Sequence, residues 1–135
     1  LDINTVLFDI AHHPATGVGR RVSTAGNSIR AYIRSYQSRL DARRERIPQY
    51  WIRAHKHTAH REVIRLDDGT PNGKLTTAVI LPAWQAGTEY TRGALAIDEP
   101  PTIGGYWVEI DADGQHRDGL EYVSIKPPDE TVIKL

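Results

Sequence analysis

Within residues 23–46 the apolar positions Ile29, Tyr32, Ile33, Tyr36 and Leu40 recur at intervals of three and four, so one stripe of an α-helix is apolar and a strand period is excluded. Ser23 or Asn27 is placed to cap the start, because a short polar side chain accepts from the orphan N–H groups of a first turn. Pro48 disfavours the α conformation at Ile47 and sets the expected end. Upstream, Ile3, Val6, Leu7 and Ile10 also repeat at helical spacing, with Asp2 as a cap and Pro14 as a stop, while Val6, Phe8 and Ile10 alternate as in a strand. The inclusion of Ile3 favours a short N-terminal helix.

From Arg61 onward the pattern changes to β. Runs 62–66 and 75–81 are rich in β-branched residues and are joined by Asp67-Asp68-Gly69-Thr70-Pro71-Asn72-Gly73, whose Asp-Gly and Asn-Gly pairs form turns, so a hairpin is expected. Pro82 ends it. Short strands are expected at 94–97, 106–110, 120–125 and 131–135, with Ala112-Asp113-Gly114 turning the last clear hairpin. Pro100-Pro101 and Pro127-Pro128 are extended connectors. The expected class is α+β, one long amphipathic helix packed on a mainly antiparallel sheet of five or six strands, with the short N-terminal helix beside it. At 135 residues and 39% hydrophobic content the chain fits a single domain, 1–135, helical and basic over residues 1–48 and β-rich and acidic over residues 49–135.

The neutral total hides a separation of charge. Residues 1–65 carry twelve Lys or Arg against five Asp or Glu, net +7, and residues 66–135 carry five against twelve, net −7. The halves can pack together and neutralise each other, or a basic face of one copy can meet an acidic face of the next. Residues 20–46 hold eight Arg and no Lys, and a planar guanidinium pairs bidentately with carboxylate or phosphate. Arg30, Arg34 and Arg44 are therefore interface candidates, with nucleic acid as a third possible counterpart. Trp84 and Trp107 are apolar anchors that could seal such a contact.

Candidate chemistry is sparse. The cluster from Tyr50 to His60 would place Trp51, Arg53, His55 and His57 on one face of a strand, where two imidazoles with an arginine could move a proton and hold a phosphate. A metal there would need a third ligand, and His12, His13 and His116 are distant in sequence, so no metal and no cofactor is expected. Gly17-Val18-Gly19 before Arg20-Arg21 could present N–H groups to phosphate but lacks P-loop spacing and its lysine. Asp111-x-Asp113-Gly114-x-His116-x-Asp118 has its glycine fourth and Tyr122 twelfth, which fits a hairpin turn and not a calcium loop. No Ser-His-Asp set, nucleotide fingerprint or internal repeat occurs. The absence of Cys removes disulfides, thiolate zinc sites and cysteine nucleophiles. No apolar run approaches the roughly 18 to 20 residues of a membrane span, and the start lacks the basic-then-apolar pattern of a signal peptide, so a soluble chain with no membrane contact is expected.

Ala83-Trp84, then Tyr90, then Gly93 resembles the Trp-x5-Tyr-x2-Gly segment of small chitin-binding modules and of similar stretches in phage tail proteins, over about a tenth of the chain. That resemblance implies a sugar platform; physically, Trp84 and Tyr90 in a chain with one Phe are expected as core or interface anchors. The functional expectation is a non-enzymatic binding or assembly subunit that self-associates through complementary charged faces, or meets an acidic protein surface, with a structural component of a phage-like particle as one setting. The alternative is a small nuclease or toxin-type domain using His55, His57 and Arg53.

Overall fold

The computed structural model of the protein describes residues 1–12, 22–54, 59–67, 69–82 and 102–124, with the backbone alone for 22–28. The elements are β1 (Asp2–Ile3), β2 (Val6–Ala11), α1 (Val22–Arg43), β3 (Tyr50–Arg53), β4 (His60–Leu66), β5 (Lys74–Ile80), β6 (Thr102–Ile110) and β7 (His116–Ser124). The N-terminal segment corrects the expected short helix. It is a pair of strands joined by Asn4 and Thr5, both at positive φ. Val6 and Phe8 go into the interior, whereas Ile10, which a helical stripe would have buried, stays exposed. The reason is non-local: β2 gains a ladder by lying parallel to β3, Phe8 opposite Tyr50, while an isolated helix of this length is marginal. Asp2 is not a cap and instead pairs with Arg46 at 2.7 Å.

The described strands form a five-stranded sheet in the order β1-β2-β3-β5-β4 and a separate β6-β7 hairpin. The α+β class holds, and the larger sheet is mixed: β2 with β3 and β3 with β5 are parallel, the other pairs antiparallel. Parallel neighbours need a crossover, and α1 supplies one by returning the chain between β2 and β3. The turn at 67–73 closes β4 on β5 as its Asp-Gly and Asn-Gly pairs foretell, with Gly69 and Gly73 at positive φ. The turn after β6 likewise carries Gly114 at positive φ. The expected strands at 94–97 and 131–135 lie outside the described residues, as do the Gly-x-Gly loop and both proline pairs.

Helix α1 buries Ile29, Ile33 and Leu40, with Tyr32 and Tyr36 half-buried, against Trp51, Ile64, Leu66, Ala78 and Ile80. Its end precedes Pro48. Glu45 N–H donates to the Leu40 carbonyl and Arg44 N–H to that of Asp41, a Schellman cap with Arg44 at φ 56° where glycine is usual. The opposite face of the sheet offers Val6, Phe8 and Tyr50 to Tyr106, Val108 and Ile110 of the hairpin. Strand alternation thus divides the molecule into helix, sheet and hairpin layers.

Candidate functional site

The arginines expected to form one surface have different fates. Arg30 is committed to Glu62 of β4. Arg53 is 3% exposed, its guanidinium 5.5 Å from the Tyr32 ring centre and 5.7 Å from that of Trp51, and it pairs with Asp9 at 3.0 Å. It also donates to the Asp9 and Ile52 carbonyls, so its charge is spent inside the fold. Arg34, Arg39 and Arg44 are exposed, and no described carboxylate pairs with them. Helical spacing sets Arg34 and Arg39 on either side of the exposed small residues Ala31, Ser35, Ser38 and Ala42. The solvent side of α1 is therefore low in the middle, with Arg39 along one border and Arg34 with Asp41 along the other.

Among the described residues a single ion pair, Arg61 with Asp118, joins the basic half to the acidic half. Arg30–Glu62, Arg43–Glu45, Arg46–Asp2 and Arg53–Asp9 lie within the first half, and Arg117–Glu109 within the second. An open groove of about 410 Å³ between α1 and β4 is bordered by Arg34 and Arg65 but also by Asp41 and Asp67. Two cations matched by two anions give no preference for phosphate.

The Arg61–Asp118 pair belongs to a polar cluster that sequence reasoning missed. Arg61 reaches both oxygens of Asp118, Tyr106 donates its hydroxyl to the same carboxylate at 2.7 Å, and the Tyr50 hydroxyl lies 2.6 Å from Nδ1 of His116. Tyr50 also stacks on Phe8 at 5.1 Å. Burial alone would raise the Asp118 carboxyl, but the hydrogen bonds from Arg61 and Tyr106 outweigh it and hold it below its ordinary value. Burial, reinforced by the Asp118 charge, pushes Tyr50 up to about 12, and burial with the Asp118 hydrogen bond pushes Tyr106 up. The hydrogen bond to Asp118 holds Arg61 more firmly protonated. These shifts all lead away from neutrality, so Asp118 stays an anion, the tyrosines stay neutral, and the cluster acts as a fixed joint between sheet and hairpin. Its members are separated by up to 66 positions, and the one available signal was polar residues alternating in phase with Leu120 on β7.

The hairpin lies across the sheet. At its tip Asn4 donates to the Asp111 carbonyl, and Gly114 comes so close to Asn4 that an added Cβ would sit 2.6 Å from the Asn4 carbonyl oxygen. At its base Ala59 N–H donates to Thr102 Oγ1 at 2.7 Å. The outer face carries Trp107, 40% exposed, lying on Gly119 with its indole N–H 3.2 Å from Glu121. Beside it are the exposed Glu109–Arg117 pair and Val123.

His55, His57 and Trp84 lie outside the described residues. Among the described residues no three His, Asp or Glu side chains converge as metal ligands, and no helix is long and apolar enough to cross a membrane. No family model, curated protein or solved structure matches the chain.

Proposed function

We propose that this protein is a binding and assembly module whose basic α1 surface engages an acidic surface of a second copy. One observation carries the proposal: Arg34, Arg39 and Arg44 are exposed without a described carboxylate partner, while among the described residues only Arg61–Asp118 joins the two charge-separated halves. Charges left unsatisfied within a chain are available between chains, where several weak pairs act together. Asp41 and Asp67, beside Arg34 and Arg65, disfavour long contact with nucleic acid, because carboxylates there repel phosphates. The nuclease alternative is less well supported, since Arg53 is buried and engaged by Asp9. A phage-like particle is one assembly that repeated self-contact would build.

The test is solution mass against salt. Association is expected at low ionic strength and dissociation as the Debye length shrinks from about 10 Å at 0.1 M to about 3 Å at 1 M salt. Arg34→Glu with Arg39→Glu and Arg44→Glu should reproduce the high-salt state at low salt. Monomeric wild-type chain at every salt concentration would refute self-association, and salt-sensitive retention on nucleic acid that the triple variant loses would transfer the same surface to phosphate.

A further inference from the structure

The outer face of the β6-β7 hairpin is built from the cross-strand rows Ile103–Val123, Gly105–Glu121, Trp107–Gly119 and Glu109–Arg117. Trp107 occupies the centre, and glycine beneath it is obligatory: a Cβ on Gly119 would lie 2.6 Å from two ring carbons. One ring face is thus set on backbone and the other is open to solvent. Residues 102–124 hold five carboxylates against one arginine, and of these Asp118 alone turns inward to Arg61. A flat ring flanked by Glu109, which also pairs with Arg117, and Glu121, which also accepts from the indole N–H, matches a planar guanidinium that stacks through its face and donates through its edge, because each carboxylate keeps further lone pairs. The same chain already uses this arrangement in its interior, where Arg53 lies against Tyr32 and Trp51 with Asp9 at 3.0 Å.

Resting on the self-association reading, we infer that this face is the acceptor for the basic α1 surface of a second copy, with an arginine of that copy stacked on Trp107. Helix and hairpin cover opposite faces of one sheet. A single chain therefore cannot bring its own cationic and acidic surfaces together. A contact between two copies leaves one unused surface at each end, so the interface is heterologous and copies add head to tail beyond two, into a ring or an open stack. The small residues Ala31, Ser35, Ser38 and Ala42 leave room between Arg34 and Arg39 for the ring to enter.

The test uses the whole chain in four variant forms, each first shown by circular dichroism to melt as wild type does. Glu109→Lys with Glu121→Lys makes the acceptor face basic, and Arg34→Glu with Arg39→Glu and Arg44→Glu makes the donor face acidic. Neither form alone should associate at low salt, and an equimolar mixture should, because each reversed face then meets its complement. Trp107→Phe, which keeps a ring over Gly119, should raise the dissociation constant, and Trp107→Ala should raise it on the order of tenfold. Mass should grow past two chains as concentration rises. Association of the lysine variant at wild-type strength, no recovery in the mixture, or a mass that stops at two chains would overturn the head-to-tail contact. A wild-type chain that associates and fails only when the arginines are reversed would leave self-association standing with a different acceptor, whereas a wild-type monomer at all salts would remove both.

Discussion

The two faces of the five-stranded sheet are covered by different means. On the helix side Ile29, Ile33, Leu40, Trp51, Ile64, Leu66, Ala78 and Ile80 form a continuous buried apolar cluster. On the hairpin side three residues, Val6, Phe8 and Tyr50, are buried in the corresponding cluster, Tyr106, Val108 and Ile110 pack on them half-buried, and an Arg-Asp-Tyr-His network adds polar contacts. Apolar burial is non-directional and scales with area, so the helix side accepts no buried charge without a partner of the kind that Asp9 gives Arg53. Hydrogen bonds to a carboxylate fix orientation and respond to pH, so the hairpin side is specific in placement and modest in strength. The face that presents Trp107 is thus held in place by chemistry that can be titrated.

The largest expected effect breaks the helix side. Ile33 is 0% exposed, and Ile33→Asp should destabilise by at least ~4 kcal/mol by placing an unpaired charge among apolar side chains. A chemical-denaturation midpoint close to wild type would show that the helix is not seated on the sheet as described.

Next comes the hairpin joint. Asp118→Asn should cost about 2 kcal/mol, because Arg61 and Tyr106 lose a shared anionic acceptor. Its signature is local: amide exchange should quicken in β6 and β7 while α1, β3 and β5 keep their protection. The pH dependence should have two limbs. Below the usual carboxyl value of 3.8 an unfolded chain takes up a proton at Asp118 before the folded one does, so stability falls as pH drops through the lowered folded value. From pH 10 to about 12 an unfolded chain loses the Tyr50 proton that the folded chain keeps, so stability falls as pH rises. Asp118→Asn should flatten the acid limb, and Tyr50→Phe should reduce the alkaline one, to which Tyr106 also contributes; a wild-type pH profile in both variants would exclude the joint.

The smallest effect sharpens the contrast by touching neither covering. Arg44 holds a left-handed conformation at the C-terminal cap of α1, and Arg44→Gly should stabilise by about 0.5 to 1 kcal/mol by removing the Cβ conflict. A thermal melt suffices to detect it. Lower stability would mean that the Arg44 side chain makes a contact worth more than the strain it carries.

Local signals were enough for α1, for β4 with β5 and for β6 with β7. The 3.6-residue period, the Asp-Gly and Asn-Gly pairs at 67–73 and the Ala-Asp-Gly at 112–114 each act within a few positions. They failed for the N-terminal segment, where the helical set Ile3, Val6, Leu7 and Ile10 is favoured over the strand alternation of Val6, Phe8 and Ile10. Pairing with β3 decided between them. Spacing alone likewise could not tell Arg53, enclosed by aromatic rings and Asp9, from Arg34, left in solvent.

The sequence by itself determined the α+β class, the apolar stripe of the long helix, the hairpin turns and the opposition of a basic and an acidic half, because these depend on period, turn chemistry and composition. Only the tertiary structure decided which arginines have no carboxylate partner among the described residues, that Asp118 and Arg61 meet, that Trp107 lies on Gly119 and that the helix and hairpin surfaces point away from each other. Those outcomes depend on contacts between residues far apart in the chain, and no local pattern encodes a distance that folding has yet to create.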